Sequence, residues 1–167
     1  MSLAFNADEI FQMAQQIEKN GIRFYRWAAE RSEKPSGAQL LLRLAGMEED
    51  HEKIFARMRA GLTETERKKL VFDPEDQTSS YLRAWADHHV FDLRHDPSEK
   101  LTGKESVDAI LQIAMGMEKD SIVFYLGMKD AVPERLGRGE IDEIIKEEMR
   151  HLDSLSRELE TQRHQLL

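Results

Sequence analysis

Glu18-Lys19-Asn20-Gly21-Ile22-Arg23-Phe24-Tyr25 is answered one hundred residues later by Glu118-Lys119-Asp120-Ser121-Ile122-Val123-Phe124-Tyr125. The same offset carries Glu48 and His51 onto Glu148 and His151. Similarity held at one fixed offset marks two units of the same design, which are expected to pack together with approximate two-fold symmetry. Each member of the repeat lies in a stretch with helical spacing. The first helix is predicted over residues 6–32, opened by Asn6 and Glu9 at capping-box spacing and closed before Lys34-Pro35-Ser36-Gly37. Its apolar stripe runs through Ile10, Ala14, Ile17, Gly21, Phe24 and Ala28. The second helix is predicted over 37–60, with Leu41, Leu44, Met47, Phe55 and Met58 facing inward and Gly61 as terminator. A turn this short makes the pair an antiparallel hairpin.

The second hairpin is predicted from helices over 102–130, opened by Thr102 and Glu105, and 140–163, reached through Pro133 and the turn Gly137-Arg138-Gly139. No stretch alternates as a strand does, and the prolines at 35, 74, 97 and 133 fall outside the strongly periodic segments. The polar connection over 61–101 is long enough to cross a bundle. Within it Leu82, Trp85, Ala86, His89 and Val90 follow i, i+3, i+4, i+7, i+8, the pattern of a short amphipathic helix. The expected architecture is therefore all-α: one domain over 1–167, a four-helix bundle with a single long crossover.

Composition narrows the chemistry. The chain has no cysteine, which excludes disulfides, thiol nucleophiles, zinc-finger knots and cysteine-ligated iron–sulfur clusters, so nitrogen and oxygen ligands are expected for any bound metal. With 24 basic against 32 acidic residues and a formal charge of −8, nothing attracts a phosphate backbone, and nucleic acid is not an expected partner. The opening MSLAFNADEI has neither a basic region nor an apolar run, and no stretch reaches membrane-spanning length. A soluble, cytoplasmic protein without a membrane partner is the expectation.

The placement of four glutamates gives those carboxylates a purpose. Glu18 has Phe11, Ala14, Ile22 and Tyr25 above and below it on one helical face, and Glu118 has Leu111, Ala114, Ile122 and Tyr125. Glu48 shares its stripe with Leu41, Leu44 and Phe55; Glu148 shares its own with Ile141, Ile144, Leu152 and Leu155. His51 and His151 follow one turn later. Ionised carboxylates are seldom buried unless paired or bound to metal, because desolvation costs several kcal/mol per ion. Four on inward stripes need a common counter-charge, which two divalent metal ions would supply. Residues i and i+3 emerge on one helical face, so Glu-x-x-His offers an oxygen and a nitrogen to one metal while its carboxylate reaches a second. A metal-free bundle with a buried acid–base network is the plainer alternative, but surface composition does not readily produce two such pairs and two lone glutamates in register.

Three further features carry less specific signals. Tyr25 and Tyr125, two turns beyond Glu18 and Glu118, suit either hydrogen bonds to the ligand carboxylates or a core-aromatic role. Gly21 and Ser121 leave room beside a metal, or permit close helix packing. In the crossover, Asp92-x-x-His95 with His88 and His89 imitates a metal pair but reads better as packing and surface.

At the doubled Glu…Glu-x-x-His pattern the sequence resembles the rubrerythrin branch of the ferritin-like superfamily, over the four helices and most of the chain. The resemblance implies a ferritin-like fold and a non-haem di-iron centre, with Glu48 and Glu148 bridging, Glu18 and Glu118 terminal, and His51 and His151 giving one nitrogen to each iron. It also implies a cytoplasmic peroxide-reducing protein, commonly a homodimer. Two features depart from the family pattern. Rubrerythrins typically carry a four-cysteine rubredoxin-like domain for electron delivery, and this sequence has no cysteine, so an external donor such as a rubredoxin-like protein is expected. The family's extra glutamate, three residues after the third-helix ligand, is replaced by Ser121. The resulting expectation is an oxidoreductase that reduces peroxide or dioxygen at two iron ions, with manganese or zinc compatible with the same ligands. A ferroxidase that handles iron, or a structural bundle with a vestigial site, are the alternatives.

Overall fold

The computed structural model describes residues 5–69, 101–129, 132 and 134–164. Its main elements are α1 (Ala7–Glu30), α2 (Pro35–Ala60), α3 (Glu64–Lys68), α4 (Val107–Lys129) and α5 (Arg138–His164), with a 3-10 turn at Glu134–Leu136. Among the described residues no helix is long and apolar enough to cross a membrane.

Local chemistry sets the helix ends. Asn6 Oδ1 accepts from the Glu9 amide and Glu9 Oε2 accepts from the Asn6 amide, both at 2.9 Å, closing the capping box expected from sequence. The second helix starts at Pro35 rather than residue 37, because proline at the first helical position lacks only an N–H that has no intrahelical partner. The third starts at Val107 rather than residue 102. Gly103 has φ +76°, a left-handed conformation incompatible with a helix, and the Glu105 carboxylate turns back to the amides of Thr102 and Gly103 at 2.7 and 2.9 Å. Ser106 is the cap instead, its hydroxyl accepting from the Ala109 amide at 3.2 Å. The fourth starts at Arg138, two residues before the expected 140, directly after Gly137 at φ +96°.

Helix α3 lies inside the segment expected as an open connection. Thr63 and Glu66 form its capping box, Arg67 pairs with Asp8, and Arg135 Nε donates to Glu66 Oε1 at 3.0 Å. These contacts tie the start of the connection to α1 and to the turn before α5. The amphipathic insert expected over Leu82–Val90, and His88, His89, Asp92 and His95, lie outside the described residues.

Cross-links at both ends fix the helix directions. Asp8 meets Arg59 at 2.9 Å while Arg26 meets Glu49, so α1 and α2 are antiparallel. Asp108 meets Arg163 and Lys129 meets Asp142, each at 2.6 Å, so α4 and α5 are antiparallel too. Apolar side chains form two clusters. One gathers Ile10, Phe11, Phe55, Phe124, Met128 and Ile141, and the other Phe24, Leu41, Leu44, Leu111, Ala114 and Leu155. Met47, expected on the inner stripe of α2, is only half-buried. Glu18, Glu48, Glu118 and Glu148 are the carboxylates these four helices bury, and they belong to neither apolar cluster.

Candidate metal centre

All six sequence-predicted side chains come together in the core. Glu18, Glu48, Glu118 and Glu148 are 1–3% exposed, and His51 and His151 are 1% and 2% exposed. Solvent therefore cannot screen their charges, and the counter-charge must come from within the group.

Both imidazoles turn Nδ1 toward the carboxylates. His51 Nδ1 lies 3.3 Å from Glu48 Oε2, 3.1 Å from Glu148 Oε1 and 3.9 Å from Glu18 Oε2. His151 Nδ1 lies 3.3 Å from Glu48 Oε1, 3.0 Å from Glu148 Oε2 and 3.5 Å from Glu118 Oε1. Glu48 and Glu148 thus divide their two oxygens between the two histidines, whereas Glu18 and Glu118 each serve one side. The rings stack at 5.7 Å between centroids, inclined by 18°. Two overlapping donor sets result: Glu18, Glu48, His51 and Glu148, and Glu48, Glu118, Glu148 and His151, each with donor atoms within 4.8 Å of one another. Either set could hold a metal ion.

These close approaches are not aligned as hydrogen bonds. His51 Nδ1, both ring nitrogens of His151 and both oxygens of Glu148 are buried without a hydrogen-bond partner. Orphaned polar atoms at this depth cost about 1–3 kcal/mol each, more when charged. A set of them aimed at shared points is the geometry of ligands around an ion.

Burial pushes the Glu18 carboxyl well above its ordinary range, and repulsion from Glu48 and Glu148 adds to it. Burial raises Glu118 likewise, with Glu148 and Glu48 adding to the effect. Burial would also raise Glu48, but His151 and His51 outweigh it and hold that carboxyl low. Burial opposes the charge on His51, yet contact with the Glu148 and Glu48 carboxylates pushes the imidazole up to about 12. His151 is raised in the same way, by Glu118, Glu148 and Glu48 against burial. With no metal bound, protons are the counter-charge.

The tyrosines are hydrogen-bonded to the site. Tyr25 donates to Glu118 and Tyr125 donates to Glu18, each reaching the glutamate of the other repeat. Seven residues along one helix is about 10 Å, too far for a tyrosine to meet its own helix's glutamate, whereas the antiparallel packing of α1 on α4 brings the opposite one alongside. Burial, followed by the nearby carboxylates, raises both phenols, so they remain donors.

Gly21 and Ser121 line a cavity of about 10 Å³ together with Ile17, Glu18, Tyr25, Glu48, Met117 and Glu118. That is room for about one water-sized molecule. A Cβ on Gly21 would lie 3.3 Å from Glu48 Cγ, so the glycine also permits the close approach of that carboxylate. Sequence reasoning missed Glu147, whose Oε2 lies 2.7 Å from His51 Nε2. The signal lay in the repeat, which puts methionine at position 47 where the other half has this acid.

The rubrerythrin family matches residues 9–159, nearly the whole chain. The chain belongs to the rubrerythrin family. A crystal structure of a ferritin-like diiron-carboxylate protein from Thermotoga maritima is similar to this rubrerythrin-family chain over 92% of its length and 94% of the other's, with a TM-score of 0.67. At 24% identity that likeness establishes the ferritin-like fold. No curated protein matches the chain.

Proposed function

We propose that this chain holds two divalent metal ions, iron by the family to which it belongs, and reduces peroxide with electrons from an external donor. The observation that carries the reading is the convergence of buried, unpartnered donors on two shared points. Those donors fit the metals: nitrogen and carboxylate oxygen are suitable ligands for iron, and the inward-facing Nδ1 atoms of His51 and His151 and both oxygens of Glu148 are left without hydrogen bonds. Glu18 and His51 would hold one ion, Glu118 and His151 the other, and Glu48 and Glu148 would span both. A pair of iron ions held there would supply the two electrons that, with two protons, convert peroxide to two waters, and an external donor would restore them.

The chain's own residues set the conditions. The apolar clusters on Phe24, Phe55, Phe124 and Leu155 exclude bulk water, which strengthens every charge interaction inside. Tyr25 and Tyr125 orient the terminal carboxylates by donating to them. The cavity beside Gly21 and Ser121, sized for about one water, is too small for an organic substrate.

Anaerobic Fe(II) loading followed by stopped-flow mixing with peroxide and with dioxygen tests the reading. Two irons per chain and a faster reaction with peroxide are expected. Faster oxidation by dioxygen would overturn the peroxidase assignment in favour of a ferroxidase. Glu48→Ala or Glu148→Ala is expected to abolish two-metal binding, and retention of two irons by either variant would sink the bridging roles.

A further inference from the structure

The near-symmetry of the site breaks behind the histidines. His51 Nε2, on the side of the ring away from the carboxylate group, lies 2.7 Å from Glu147 Oε2 of α5. The repeat carries His51 onto His151 and Glu147 onto Met47. Methionine offers only a weak acceptor sulfur, and His151 Nε2 is buried without a hydrogen-bond partner. Among the described residues, one histidine therefore has a carboxylate behind it and the other has none. A carboxylate on the outer nitrogen makes that nitrogen the N–H donor, leaves the Nδ1 lone pair facing inward, and stops the ring from turning.

We propose that Glu147 is a positioning residue that makes the two metal positions unequal. The position formed by Glu18 and His51 takes a divalent cation more tightly and fills first; the position formed by Glu118 and His151 fills second. This rests on the two-metal reading of the site. Glu147 is suited to the role because its side chain is 35% exposed, so it acts from the rim of the site rather than as a ligand. Its replacement removes little core packing.

The test is titration of the metal-free full-length chain with Co(II), followed by calorimetry and by visible absorption. Repulsion between two cations separates the binding steps in any two-metal site, so the variants decide. Glu147→Leu is expected to weaken the first step by about 10–100-fold and to narrow the separation. Glu147→Gln keeps an acceptor oxygen and should retain most of the affinity. Met47→Glu supplies the missing partner and should strengthen the second step. In the one-cobalt species, a paramagnetically shifted ring N–H resonance slowed in solvent exchange should be present in the wild type and lost in Glu147→Leu. An unchanged separation in Glu147→Leu, or equal weakening of both steps, would overturn the inference while leaving the two-metal reading intact. Absence of cobalt binding to the wild type would overturn both.

Discussion

The tyrosines show how side-chain chemistry couples the two repeats. Tyr25 and Tyr125 are buried, and each places its hydroxyl on a carboxylate of the opposite hairpin. Phenylalanine at either position keeps the ring and removes the hydroxyl that donates to that carboxylate oxygen. Leaving a buried acceptor unsatisfied costs about 1–3 kcal/mol. Tyr125→Phe and Tyr25→Phe are each expected to lower the unfolding free energy of the metal-free protein by that amount, measured by chemical denaturation; a loss below about 0.5 kcal/mol in both would show that the bonds contribute little. The sequence put both tyrosines near the site but left open whether they were bonded or merely packed. Spacing along one helix cannot show which residue of another helix arrives alongside, and that relation decided the outcome. Glu147 was illegible for a similar reason: a glutamate beside a ligand on an acidic helix looks like solvated surface until His51 is seen opposite.

Among the elements, the start of α4 is where two readings of the same stretch competed. Thr102 and Glu105 have capping-box spacing, and they do bond to each other, with Glu105 Oε1 2.7 Å from the Thr102 amide and 2.8 Å from its hydroxyl. That pairing closes a turn rather than opening a helix, because Gly103 sits at φ +76°. Ser106 caps the helix without a reciprocal carboxylate, since Ala109 stands where a capping box would need one. The repeat contained the better signal, for the offset that aligns the glutamates also carries Asn6, the cap of α1, onto Ser106. Helix existence and the inward stripes followed from periodicity. The ends depended on single dihedral angles that periodicity does not report. Ser106→Ala should therefore cost about 1 kcal/mol of stability, and Thr102→Ala clearly less, by denaturant unfolding. The reverse order would return the helix start to residue 102.

At the scale of the whole molecule, the site exchanges one kind of counter-charge for another. The chain carries a formal charge of −8, and four of its glutamates are packed inside with two histidines. Without metal, Glu18 and Glu118 are raised, chiefly by burial, and His51 stands at about 12 against an ordinary value of 6.5, burial being outweighed by Glu148 and Glu48. A raised group stabilises the fold fully below its unfolded value and loses that contribution as pH rises toward its folded value. The two carboxyls therefore lose stabilising power from about 4.5 upward, and His51 from 6.5 upward. Glu48 is lowered, burial being overcome by His151 and His51, and loses its contribution only as pH falls below the ordinary 4.5. Glu66 and Glu105, both at about 2, likewise do not change between pH 5 and 8. Within that window the metal-free protein should become less stable as pH rises. Metal binding has the opposite sign, because ligands must be deprotonated and each proton released strengthens binding by about tenfold per pH unit. The rise in melting temperature on adding Mn(II) should accordingly be larger at pH 8 than at pH 5, and the binding enthalpy should vary with the ionisation enthalpy of the buffer. Scanning calorimetry in two buffers checks both. A metal-induced shift that is independent of pH, with no proton release, would mean that the cation is held somewhere other than among these four glutamates and two histidines.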